Sequence, residues 1–108
     1  WIHVDVERAK AGPYGAPIAH GFLTLSLLPE LAATAMAIDD VKMSINYGLN
    51  RARFTGPVPA GSKVRGVIKL KDYTAIEGGA QMTIEVTIER EGADKPVCVA
   101  EAVSRRFT

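Results

Sequence analysis

The sequence is short of several things at once. A single cysteine, Cys98, excludes an intramolecular disulfide and a cysteine-based zinc site. Charge of one sign is also lacking. Lys plus Arg number 13 and Asp plus Glu 12, and the resulting net charge of +1 gives no broad electrostatic surface for nucleic acid or anionic lipid. No stretch approaches the roughly 18 consecutive apolar residues of a membrane span, and no basic-then-apolar leader opens the chain. Neither nucleic acid nor a membrane is therefore an expected partner, and a cytoplasmic location is expected. The 108 residues leave room for one domain, 1–108. Its start at Trp1 rather than Met leads us to expect a portion upstream.

What is present suffices for a core. Hydrophobic residues make up 47% and charged residues 23%, the composition of an ordered globular chain. A domain of this size leaves much surface unburied, and a dimer that covers more of it is a natural remedy. Gly12, Pro13, Gly15 and Pro17 mark a lead-in loop after a short charged helix over residues 4–10. Over residues 18–36, Phe22, Leu23, Leu25, Leu27, Leu28, Leu31, Ala32, Ala35 and Met36 occupy nearly every side of a helical wheel. A helix buried all round is expected there. Pro29 cannot donate an N–H, so the helix should kink or restart near Leu28, as one bent helix or as two.

From residue 41 the period changes to two. Strands are expected over 42–46, 51–54, 63–70, 81–89 and 96–107, with a turn-rich connector over 54–61, giving an antiparallel meander. A hydrophobic helix followed by such a sheet is buried only if the sheet curls around it. The fold class is α+β, with the wrapped form favoured over a helix lying flat on the sheet.

Two histidines offer chemistry. His3 stands two residues before Asp5, which either shares a strand face with it or caps the helix over the N–H groups around Arg8. His20-Gly21 lies where the apolar helix begins. Free N–H groups there can stabilise a developing oxyanion, while Gly21 either admits a ligand closely or lets the helix pack against a strand. Cys98 and Trp1 are read as structural.

Three stretches together resemble a known family. They are Trp1-Ile2-His3-Val4-Asp5 with Glu7-Arg8-Ala9, then the run from Pro17 through Ala19-His20-Gly21-Phe22 to Leu27, and Ile45-Asn46-Tyr47-Gly48-Leu49-Asn50-Arg51-Ala52-Arg53-Phe54 with Pro57-Val58. The chain resembles the MaoC-like (R)-specific enoyl-CoA hydratases of the hotdog fold, and within them the small single-hotdog bacterial members. The resemblance implies a long central helix wrapped by an antiparallel sheet. It also implies a homodimer or higher homo-oligomer, two subunits pairing their sheets edge to edge with an acyl-CoA along the interface.

By that resemblance His3 corresponds to the histidine of a catalytic Asp/His pair, which holds the water added across a trans-2-enoyl-CoA to give a (3R)-3-hydroxyacyl-CoA. The paired aspartate lies five positions earlier, upstream of Trp1, and Asp5 does not replace it by motif. A backbone N–H at Gly21 or its neighbour would receive the thioester oxygen, leaving His20 a structural part. Phe22, Asn46, Tyr47 and Gly48 are candidate substrate-binding residues, while the basic Arg51, Arg53 and Lys63 are either contacts for the coenzyme A phosphates or solvated strand residues. No cofactor is expected beyond the coenzyme A of the substrate. The expected activity is thus a hydro-lyase of fatty-acid metabolism. An acyl-CoA thioesterase, for which Glu30 is the only acidic residue within the helix, and a non-catalytic acyl-CoA-binding module are the alternatives.

Overall fold

In the computed structural model, which describes residues 1–108, Asp5 begins the first helix. Its carboxylate accepts the Arg8 N–H at 3.1 Å and caps α1 (Val6–Lys10), so this carboxylate serves the backbone. The apolar helix is two short ones, α2 (Gly21–Ser26) and α3 (Leu28–Ala35), which share Leu27 as a cap. Pro29 stands in the first turn of α3, where its missing N–H has no helical acceptor to lose.

Burial all round, expected for these helices, is not observed. Thr24 and Leu28 are buried, whereas Phe22 is 79% exposed and Leu23 and Leu27 are also exposed. The reason is geometric: one curved sheet covers one side of the helical pair. Gly66 marks the close approach, since a Cβ there would lie 3.0 Å from Cβ of Leu31 on α3.

The sheet comprises β1 (Met43–Arg53), β2 (Val64–Ile76), β3 (Gly79–Arg90) and β4 (Cys98–Phe107), all antiparallel, in the order β1-β4-β3-β2. The expected meander holds for β2, β3 and β4. The first strand departs from it and lies beyond β4, at the far edge from β2. The connector after β1 explains this, because it does not turn back as a hairpin. Thr55 N–H bonds Val97 O at 3.0 Å and Ala60 N–H bonds Pro17 O at 2.8 Å, carrying the chain over the end of the sheet. The turn between β2 and β3 is tight, with Gly78 at φ 79°, a conformation that costs glycine little.

Residues 42–46 and 51–54, read as separate strands, fall in one, β1, save for Lys42 and Phe54 just outside its ends. Its register against β4 shifts between Asn46 and Gly48 and again between Leu49 and Arg51. Two bulges thus place Asn46, Leu49 and Ala52 opposite Ser104, Ala102 and Ala100, on the helix-facing side. The core lies on that side, along Met82, Ile84, Val86 and Ile88 of β3, with Cys98 and Ala100 of β4 beside them and Leu28 above. Val86, Ile88 and Cys98 are wholly buried, and burial pushes the Cys98 thiol above its ordinary value.

The outer face carries charge. Arg51 reaches Glu85 at 3.8 Å and Glu101 at 4.0 Å, and Arg65 bonds Glu89 at 2.9 Å. Such open pairs add little stability. The exposed surface totals 7083 Å², against ~5,800 Å² for a compact monomer of this mass. No helix is long and apolar enough to cross a membrane.

Candidate functional site

His3 lies in a turn closed by the Asp5 N–H on Trp1 O at 3.0 Å. The segment after the lead-in loop runs back along this turn. Ile18 donates its N–H to Ile2 O at 2.9 Å, and its own carbonyl meets His3 Nδ1 at 2.8 Å. A carbonyl oxygen only accepts, so Nδ1 carries the proton and a neutral His3 presents Nε2 as a bare acceptor. On its other side the segment is tied to the connector, by the Ala19 N–H on Val58 O at 2.8 Å and a bridge between Ile18 and Pro59. Three stretches distant in sequence thereby hold one imidazole.

The same ties set the start of α2. The first helical bonds run from Leu23 and Thr24 N–H to His20 O, at 3.0 and 3.1 Å, so the Gly21 and Phe22 N–H groups precede the ladder. Gly21 is closely packed. A Cβ on it would lie 2.9 Å from the Phe54 ring, so the packing role foreseen for this glycine is real.

His3 and Gly21 border one cavity of about 430 Å³, walled also by Tyr14, Thr24, Phe54 and Thr55. Its lining mixes the polar side chains of His3, Tyr14, Thr24 and Thr55 with apolar ones such as Val58 and Val97. A second cavity, about 710 Å³, lies between the helices and the sheet. Leu25, Leu28, Ala32, Met36, Met82 and Ile84 make it mainly apolar, with Ser44, Ser104 and Arg106 at its polar part. Phe22 borders this larger cavity and meets Phe54, a wall of the smaller one, edge to face at 5.8 Å.

The candidate residues therefore divide. His3 and Gly21 share the small cavity, while Phe22, Asn46, Tyr47 and Gly48 line the large one. Arg51 and Arg53 border neither. Arg51 is turned to Glu85 and Glu101 on the outer face, and Arg53 donates to Ala52 O at 2.8 Å. Lys63, at the end of the connector, lines neither cavity; nor does Glu30, exposed in the first turn of α3.

Sequence reasoning did not single out Tyr14, Thr24 or Thr55. Thr24 had a usable signal, lying three residues after Gly21 and hence on the same helical face. Tyr14 is brought in by loop geometry that carries no periodic signature. Tyr47 lies under Arg105, whose guanidinium carbon is 3.6 Å from the ring centroid, a cross-strand pairing hidden by the bulge beside it.

Known proteins resemble this chain in sequence and in fold. A 3-hydroxyacyl-thioester dehydratase Z of Mycobacterium tuberculosis is 52% identical over 106 residues, covering 97% of this chain and 70% of the relative. Nodulation protein N of Rhizobium leguminosarum bv. viciae is 43% identical over 108 residues, covering 96% of this chain and 66% of the relative. Among solved structures, an (R)-hydratase from A. caviae involved in PHA biosynthesis superposes with a TM-score of 0.74 at 25% identity, over 95% of this chain and 73% of that one. The fold is the hotdog fold of these neighbours. The MaoC-like domain model matches residues 1–103, and with the 52% identity above it the chain belongs to the MaoC-like domain family.

Proposed function

We propose that this domain is the catalytic part of a hydro-lyase that interconverts a trans-2-enoyl thioester of coenzyme A and its (3R)-3-hydroxyacyl form. The observation that carries the reading is an imidazole whose Nδ1 is engaged by the Ile18 carbonyl, bordering one cavity with a glycine N–H that precedes a helix. Adding water to the double bond requires three things. The water loses a proton as its oxygen bonds to C3, C2 gains a proton, and the thioester oxygen carries negative charge in between. Nε2 of His3 is suited to the first task, and the Gly21 N–H to the third. The carboxylate that shares the proton transfers with His3 is the one expected upstream of Trp1.

The six-residue length of α2 narrows one part of the expectation. It aligns fewer peptide dipoles than a long helix, so the donor contribution comes from the local N–H groups, where such effects concentrate in any case. The large cavity suits an acyl chain, being apolar along the helices and polar at one part. No bound cofactor enters the scheme, since coenzyme A comes and goes with the acyl group.

A second copy of the chain is the proposed partner. The surface beyond that of a compact monomer, roughly 1,200 Å², exceeds the ~800 Å² that each side of a standard interface contributes. Phe22, Leu23, Leu27, Met43, Ile45 and Leu49 supply exposed apolar area for it.

The deciding assay is hydration of crotonyl-CoA, followed by loss of enoyl absorbance, on this chain and on the product of its full reading frame. Turnover abolished by His3→Ala supports the reading. Absence of turnover in both, with folded protein that binds acyl-CoA, overturns it in favour of a binding module. The thioesterase alternative is disfavoured by Glu30, which reaches neither cavity.

A further inference from the structure

His3 has a neighbour that the scheme above leaves idle. The imidazole of His20 lies against that of His3 with ring centroids 3.9 Å apart and planes inclined by 25°. We infer that His20 is a positioning residue: its ring fixes the plane of His3 and thereby the direction of the Nε2 lone pair. The inference rests on His3 acting as the base.

The bond from Nδ1 to Ile18 O, together with the covalent link through Cβ, holds the His3 ring near one orientation and leaves it only small tilts of its plane. A stacked ring narrows those tilts, because tilting His3 would drive it into its neighbour. His20 is itself well anchored. Its carbonyl accepts the Leu23 and Thr24 N–H groups, and the residue before it is bonded to Val58. Its side chain makes no capping bond to α2, so the imidazole is not engaged by the helix it begins. One peptide unit thus links the two halves of the site: His20 stacks on the base, and the next N–H is the oxyanion donor of Gly21. Movement of the α2 start displaces both together.

The chemistry asked of His20 is that of a flat ring, and a different ring should do it. His20→Ala should lower kcat about tenfold through misalignment while KM stays within twofold. His20→Phe should restore most of the loss. Retention of kcat within twofold in His20→Ala overturns the inference. So does a loss in His20→Phe equal to that in His20→Ala, which would assign His20 a polar task instead. His3→Ala in the same series separates the two levels, because turnover surviving there removes the hydratase reading itself. A measurement without turnover completes the test. In NMR spectra the ring protons of His3 should lose their stacking-induced shift in His20→Ala and keep it in His20→Phe, and unchanged shifts in His20→Ala overturn the stacked geometry.

Discussion

Strands β3 and β1 are of similar length and lie in the same sheet, yet they treat their side chains in opposite ways. Along β3 every second residue from Met82 to Ile88 is buried, two of them wholly. Along β1 none is buried, and Met43, Ile45, Tyr47 and Leu49 lie exposed although each is apolar or aromatic. The difference follows from position. A strand with neighbours on both sides and helices above has its apolar side covered, whereas an edge strand has one neighbour and two bulges that tilt it outward. The buried core is concentrated in β3 and β4, and the apolar surface left open includes that of β1 and the start of α2.

This division can be broken by measurement. The largest effect is expected from His3→Ala, where turnover should fall by about 10²–10⁴-fold while the urea midpoint stays close to the parent's. A matching collapse in stability would show that the lead-in turn belongs to the core after all. Next comes Ile88→Ala, which should cost roughly 2–5 kcal/mol in chemical denaturation because the side chain is wholly enclosed. A loss below ~1 kcal/mol would erase the contrast from the β3 side. Tyr47→Ala probes the β1 side. Its stability cost should stay within about 1 kcal/mol, the value of an open cation–π contact with Arg105, while KM for an acyl-CoA rises several-fold.

The smallest effect concerns Cys98. Its folded value lies above the ordinary 9.0 because burial disfavours the thiolate. Between those two values the unfolded chain releases the proton and the folded chain keeps it, so stability falls as pH rises through that window. Below 9.0 this contribution is fully present. Denaturation midpoints from pH 8 upward should therefore decline more steeply in the parent than in Cys98→Ala, and parallel curves would refute it.

Much of this was legible in the residues. The α+β class followed from the change of period after residue 41, the restart at Pro29 from its missing N–H, and the cap from the spacing of Asp5 and Arg8. The pairing of β1 with β4 was not, since local pattern carries no address for a strand whose partner is more than forty residues away. All-round burial of the apolar helices failed for a related reason. A helical wheel reports what a segment would cover given enough neighbours, and this chain alone supplies neighbours on one side. In the site, the resemblance pointed to His3 and Gly21, which the structure brings to one cavity. The basic residues Arg51 and Arg53 were read from charge, and such charge is as readily met within the protein as by a phosphate, Arg51 by Glu85 and Glu101 and Arg53 by the Ala52 carbonyl.

The two bulges of β1 have one further consequence. Eleven residues of this strand span nine of β4, so the helix-facing positions recur every third residue, at Asn46, Leu49 and Ala52, rather than every second. Each surplus residue sits in its own bulge, so losing one between Asn46 and Arg51 would close that bulge and leave the partners and faces on both sides as they are. This wall of the cavity can therefore be lengthened or shortened one residue at a time without turning its lining residues outward.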